Sequence, residues 1–368
     1  EHHPAMNRTK RLLGGAALLL LPVSPIAGES RTLIMGVWPN ELRLMDEGSE
    51  EFIGTIPLRY GAVTGYGRTP HTPDYRRLYY ITDRMEAVEV VDPEAMQVID
   101  ELRLSTAARR VRILGVSPYP DGSKLILRVV AVGMDIDRFE TDEAEYLVYD
   151  LHERAVKASF HLPKEVRTDF TSPFPFSSDG KTFFAFGRDV FELSAATHEV
   201  VSKIVLATPL EAGYGPTRPF DLYSPEPGIY YGLARTSDPF LKKAMTGVLR
   251  LDLKARTASS LEIGPEIKAN VFALSPDGKT GYAGVTDLAK IDMVSGRIVA
   301  LKKGFLEGRA ATVLILSGDG TKLFITGIGN AIQVVDAESL ELKRTIALDR
   351  DLMANPLPLP ASASRASR

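Results

Sequence analysis

Short apolar runs and polar breaks alternate along almost the whole chain, too closely spaced for helices. Lys124-Leu125-Ile126-Leu127, Thr182-Phe183-Phe184-Ala185 and Lys322-Leu323-Phe324-Ile325 are typical. Apolar runs this short, bounded by turn residues, suit strands buried on both faces. Each follows a tight turn of one kind: Pro120-Asp121-Gly122, Ser178-Asp179-Gly180 and Gly318-Asp319-Gly320, with Pro276-Asp277-Gly278 as a further copy. Asp-Gly between apolar runs is a strong hairpin signal, because glycine accepts a positive φ without a Cβ clash.

A second mark recurs where a later strand ends in an acidic residue. Asp46, Asp92, Asp150, Glu192, Asp252, Asp292 and Asp336 lie 46, 58, 42, 60, 40 and 44 residues apart. Four-stranded propeller blades recur about every 40 to 50 residues, so seven marks predict seven blades, two of them carrying insertions. The acids are read as turn openers that bond their own backbone two residues on. They are not read as a carboxylate site.

The expected fold is therefore all-β: a seven-bladed β-propeller of four-stranded antiparallel blades, one domain over residues 29–360. The first blade, from about Arg31 to Tyr60, lacks an inner strand and must borrow one from about Met353 to Pro360, closing the ring with both termini. Pro356, Pro358 and Pro360 would ordinarily argue against a strand. Alternate residues point their N–H groups to one edge, however, and an innermost strand pairs on one edge only. A polyproline II tail is the competing reading. Ala361 to Arg368 is a low-complexity Ser/Ala/Arg segment and is expected to be a disordered tail.

Composition changes this picture little. With 44% hydrophobic and 25% charged residues and a net charge of −3, nothing favours nucleic acid, which calls for a basic stripe. There is no cysteine, which excludes disulfides, thiolate metal sites, a Cys nucleophile and covalent c-type haem. At the N-terminus, Met6 precedes Arg8, Lys10 and Arg11, the apolar stretch Leu12–Leu21, and then small and turn-forming residues to Gly28. This pattern reads as a secretory signal, which together with the upstream Glu1–Ala5 fills residues 1–28, and predicts export to the periplasm. The apolar stretch is too short to span a membrane.

The two insertions are the places to look for function, since rigid scaffolds carry it on loops. Ala131 to Glu145 begins Asp135-x-Asp137, as a calcium loop would. Phe139 and Glu140 then stand where such a loop wants a ligand and a glycine, so a solvated acidic loop or a docking surface fits better. Ala234 to Thr246 mixes Arg235, Asp238, Phe240, Lys242 and Lys243, a composition suited to a protein–protein rim and equally to an ordinary exposed loop. His71, His152, His161 and His198 show no metal-ligand spacing, and neither a G-x-S-x-G elbow nor a strand–helix phosphate loop occurs.

Particular stretches resemble the β subunit of quinohemoprotein amine dehydrogenases, a family of seven-bladed YVTN-type propellers. They are Phe186-Gly187-Arg188-Asp189, Tyr230-Tyr231-Gly232-Leu233-Ala234-Arg235, Asp238-Pro239 and Thr246-Gly247-Val248-Leu249-Arg250-Leu251-Asp252. The resemblance runs from about Arg31 to Asp351. It implies a periplasmic complex in which a small γ subunit carries cysteine tryptophylquinone, a di-haem cytochrome c α subunit accepts electrons, and primary amines are deaminated. This chain would then hold no cofactor of its own and would scaffold its partners. The resemblance places Tyr231, Arg235 and Asp238 in the substrate-cavity wall or partner interface. A free-standing periplasmic propeller acting as an interaction platform and a propeller lactonase are the alternatives.

Overall fold

The repeated turns fold as their residues require. In three of them the hydroxyl of Ser177, Ser275 or Ser317 donates to Asp179, Asp277 or Asp319 at 2.7, 2.6 and 2.6 Å. The same serine oxygen accepts the N–H of Thr182, Thr280 or Lys322, which begins or adjoins the next strand. Gly180, Gly278 and Gly320 follow at φ 68, 70 and 73°. A fourth copy at Thr72-Pro73-Asp74-Tyr75 has no glycine: Thr72 donates to Asp74 at 2.6 Å and Tyr75 takes φ 57°.

The structure is a computed structural model and describes residues 30–60, 68–134, 139–166, 168, 174–206, 210, 215–238, 240, 242–265, 267–305, 311–327 and 329–360. The predicted signal segment and the tail from Ala361 lie outside them. Seven antiparallel sheets follow one another around a ring. Blade 1 orders Leu352–Leu359, Thr32–Val37, Glu41–Asp46 and Phe52–Pro57 from the inside outwards. Blade 2 holds Leu78–Thr82, Ala87–Asp92 and Gln97–Arg103, with His71↔Leu78 as the inner bridge among the described residues. Blade 3 holds Arg109–Pro118, Lys124–Met134, Glu145–Asp150 and Ala155–Phe160. Blade 4 holds Thr182–Phe186, Val190–Ser194 and Val200–Ile204, with Phe176↔Phe183 as its inner bridge. Blade 5 holds Arg218–Glu226, Ile229–Asp238, Lys243–Asp252 and Thr257–Pro265. Ala269–Lys302 and Ala311–Ala347 supply the four strands each of blades 6 and 7.

The C-terminal segment is a strand, and the polyproline II alternative falls. Leu352–Leu359 pairs antiparallel with Thr32–Val37, matching Leu33 with Pro358 and Ile34 with Leu357, with irregularities around Gly36. It pairs on no other edge. Pro356 and Pro358 therefore turn their missing donors to the channel side, where no ladder bond is lost.

Seven apolar clusters hold the ring, each shared by two neighbouring blades. Ile34, Leu42 and Leu357 of blade 1 pack on Leu78 and Tyr80 of blade 2. Leu33, Met35 and Met45 pack on Val313, Phe324 and Val334 of blade 7. The remaining five clusters join the other neighbours in the same way.

Six of the seven acidic marks open turns as expected; Asp92, for example, accepts the N–H groups of Glu94 and Ala95 at 2.9 Å. Glu192 is a correction. It lies inside the strand Val190–Ser194, and Ser194 opens that turn, accepting the N–H groups of Ala196 and Thr197. Glu192 instead accepts from Arg256 of blade 5 at 2.6 and 3.0 Å, and from Ser202 and Thr182. The Arg256 hydrogen bond, ahead of those from Ser202 and Thr182, holds the Glu192 carboxyl below its ordinary value. The Ser177 and Ser275 hydroxyls do the same for Asp179 and Asp277.

A carboxyl depressed in the fold stabilises it above the ordinary carboxylate range of about 4, and that stability is lost as pH falls through the depressed value. The melting temperature should therefore fall on acidification below about pH 4. Glu192→Gln should melt lower than wild type at pH 7 and show a shallower acid limb in thermal scans. At the seam, Leu357→Ala should cost about 2–5 kcal/mol in denaturant unfolding, as a buried Leu truncation does. Pro358→Ala should stay within about 1 kcal/mol, since no native N–H bond is at stake.

Candidate docking face

Neighbouring strands run in opposite directions, so the links between first and second strands and between third and fourth strands gather on one face, here called lower. The second-to-third links and the inter-blade links share the upper face. Both insertions are second-to-third links, and both therefore rise on the upper face. They are not loops. In blade 5, Ile229–Asp238 and Lys243–Asp252 pair without a break from Ile229↔Asp252 to Asp238↔Lys243. In blade 3, Lys124–Met134 continues past its partner strand and pairs with Phe139–Thr141. The equivalent strands of blades 4, 6 and 7 end after five or six residues. Four to six extra residues at roughly 3.3 Å each raise these hairpins roughly 13–20 Å above the ring. They stand on either side of blade 4. The Asp135-x-Asp137 segment falls outside the described residues.

The three residues singled out by resemblance share one strand but not one environment. Tyr231 is buried among Leu233, Val248, Phe272 and Ile291, between blades 5 and 6. Arg235 lies on the same face of the strand, four residues higher, and is exposed, its guanidinium over the Phe220 ring at 4.8 Å. Asp238, three residues on, falls on the opposite face, because unbroken pairing keeps strict alternation. Its carboxylate accepts the N–H of Phe240 at 2.8 Å and so shapes the hairpin tip. Phe240 is 85% exposed there. Single apolar residues at a surface are ordinary, but one held out on a raised hairpin is suited to a partner's pocket.

Two further features had no signal in the sequence. Arg218, on the inner strand of blade 5, stands directly opposite Arg235, a pairing fixed only by the register. Arg68 of blade 2 lays its guanidinium over the Tyr223 ring of blade 5, nearly opposite in the ring, at 4.7 Å. Lower down, Tyr230 of blade 5 has its phenol pushed up, first by burial and then by nearby Tyr75 of blade 2. The Arg68–Tyr223 contact bridges the channel. His71 stacks on Tyr75 with ring centroids 4.0 Å apart, and burial lowers its pKa. His198 stacks on Phe160 at 3.7 Å.

A small cavity lies beside the raised hairpin of blade 5, lined by Thr217, Thr236, Thr246, Ser260 and Glu262 among others. Its volume of about 20 Å³ admits a water molecule and no substrate. No group of three or more His, Cys, Asp or Glu is placed to hold a metal among the described residues. No helix among them is long and apolar enough to cross a membrane.

The fold and this face define the chain as a seven-bladed β-propeller. No protein-family model matches it, and no curated protein matches its sequence. Solved structures do, in 1298 chains, so likeness of this kind separates few functions. One is the Kuenenia stuttgartiensis hydrazine synthase, 17% identical over 85% of this chain and 90% of that chain, with a TM-score of 0.46. Another is the dihydro-heme d1 dehydrogenase NirN in complex with DHE, 14% identical over 94% and 79%, TM-score 0.54. A third is a functionally unknown protein from Desulfotomaculum acetoxidans DSM 771, 14% identical over 89% and 98%, TM-score 0.54. At such identities the likeness to the last two speaks for the propeller fold alone.

Arg68→Ala should leave the ring folded but lower its stability by about 0.5–2 kcal/mol, the range of a partly desolvated cation–π contact, as read by denaturant titration. Phe240→Ser should change stability by less than about 0.5 kcal/mol in the same assay, because the ring packs on little of its own chain.

Proposed function

We propose that this chain is a non-catalytic propeller subunit that scaffolds a periplasmic complex of the quinohemoprotein amine dehydrogenase type. In that reading it holds a small quinone-bearing subunit and a di-haem cytochrome c subunit while primary amines are oxidatively deaminated. The observation that supports it is positional. Of the stretches that carry the resemblance, Phe186–Asp189 lies at the upper end of blade 4, and Tyr230–Arg235 and Thr246–Asp252 rise through the second and third strands of blade 5 from its lower turn to its raised hairpin. That is where the ring presents Arg235 and Phe240 to solvent. Here the chain supplies a wall: it positions a partner and excludes water around that partner's reacting groups. The quinone and haem chemistry belongs to the partners.

Tagged protein purified from its native source should bring down one haem-staining chain and one small chain that gives a quinone redox-cycling stain. Phe240→Ser and Arg235→Glu should each reduce that recovery severalfold at unchanged melting temperature. Recovery of a lone chain, with neither stain, would contradict the reading and leave a free-standing interaction platform. Lactone hydrolysis by the purified chain would contradict both.

A further inference from the structure

We propose that the Asp83–Met85 link of blade 2 is a preformed recognition turn that presents Arg84 to a carboxylate of a partner chain covering the upper face. The proposal rests on the scaffold reading above and adds a contact region away from the raised hairpin of blade 5. The link joins Leu78–Thr82 to Ala87–Asp92, a second-to-third connection, and so lies on the upper face. Its three residues all take positive φ, at 47, 55 and 74°. Three L residues in succession are rare in that region, which is normally visited singly. Elsewhere among the described residues, a non-glycine residue at positive φ serves a lower-face turn or the tip of the blade 5 hairpin, one residue at a time.

The fold holds this run from two blades. Arg103, on the outer strand of blade 2, donates to the Asp83 carboxylate, and Arg112, on the inner strand of blade 3, donates to the Arg84 carbonyl. Glu86, buried just past the run, accepts from Arg110 at 3.1 Å and from Ser105 at 3.2 Å. Its N–H returns to the Asp83 carbonyl at 3.1 Å, and Thr82 before the run is fully buried. Backbone strain persists only where its surroundings over-determine it, and it collects at ligand clamps and switch segments. What the clamp leaves outside is the Arg84 side chain, exposed between two buried ends. The neighbouring arginines are engaged: Arg103 pairs with Asp83 and Glu101, and Arg110 and Arg112 pair with Glu86. The Arg84 guanidinium bonds no carboxylate among the described residues.

Glycine would relax this backbone, but it has no side chain to present, and the chain keeps Asp, Arg and Met here instead. The fixed turn aims Arg84 before a partner arrives, which reduces the ordering cost of binding. A guanidinium pairs bidentately with a carboxylate, and half-buried Met85 adds the soft apolar contact common beside interface arginines. A partner chain fits better than a free anion. On one exposed arginine a small anion stays solvated and screened, whereas a chain covering the turn excludes water and strengthens the pair.

The test uses the tagged full chain purified with its partners from the native source. Arg84→Gly, which relaxes the turn and removes the guanidinium, should melt about 1–3 °C above wild type. It should nevertheless retain the partner chains about fivefold to tenfold less well. Arg84→Lys puts an amine at the same position. Treating that complex with a water-soluble carbodiimide should join position 84, through an amide bond, to an aspartate or glutamate of the haem-staining or quinone-bearing chain, as located by peptide mass spectrometry. Undiminished retention by Arg84→Gly, with no crosslink from Arg84→Lys, would overturn the recognition turn and leave the scaffold reading standing. A melting temperature several degrees below wild type for Arg84→Gly would overturn it too, since the turn would then not be strained. A crosslink to an acid of a chain bearing neither haem nor quinone would keep the turn and remove the dehydrogenase-type reading. Recovery of wild type as a lone chain would contradict both.

Discussion

A blade of this protein is apolar on both faces, and it can bury both only if it has a neighbour on each side. That requirement forces closure. An open row of seven would leave two apolar faces in water, one of them the surface of Leu33, Met35 and Met45 that packs on blade 7. The hydrogen-bonded seam between Thr32–Val37 and Leu352–Leu359 is how the chain meets the requirement. Side chains reinforce it from outside: Arg31 bonds Glu47 at 2.7 Å and the carbonyl of Leu316, and Glu47 accepts the N–H of Gly318.

The ring is also tied at its lower edge by one repeated device. Four residues after each turn opener, the backbone enters the left-handed region, at Glu50, Met96, Arg154, His198, Arg256, Gly296 and Leu340. Each of these residues meets the preceding blade. Glu50 pairs with Lys322, Arg154 with Asp100 and Arg256 with Glu192, while His198 stacks on Phe160 and Leu340 packs into the blade 6–7 cluster. Met96 lies so close to Gly54 that a Cβ there would sit 2.2 Å from it, and a Cβ on Gly296 would come within 2.4 Å of the Glu262 carbonyl. Non-glycine residues tolerate that backbone because their side chains make contacts that offset its strain.

Much of this was legible in the sequence because turn chemistry is local. Asp-Gly and the strand-ending aspartates state their roles within five residues, so blade number, the insertions and the divided first blade could all be read. What failed to show was non-local. Glu192 mimics a turn opener in spacing, and only the position of Arg256, 64 residues on, reveals it as an inter-blade tie. The Thr72–Tyr75 turn lacks the glycine that marks its siblings. The insertions read as loops because a hairpin pairing with itself needs no special residues. Of the candidate interface, the strand bearing Tyr231, Arg235 and Asp238 could be found. Which of them would be buried, and that Arg218 stands across from Arg235, depended on register. The upper face is thus the part of the molecule where strand length exceeds what the ring needs, and the partner contacts proposed for Arg235 and Phe240 are built on that surplus.

Because the chain contains no cysteine, ring closure can be tested by a single engineered crosslink. Ile34 and Leu357 are directly paired across the seam, at a separation that a disulfide can bridge. The double variant Ile34→Cys/Leu357→Cys, oxidised and analysed by non-reducing electrophoresis and thermal melting, should form the intramolecular bond quantitatively and melt higher than its reduced form. Failure to crosslink in a folded protein, or a melting temperature indifferent to the bond, would contradict a ring closed by these two segments.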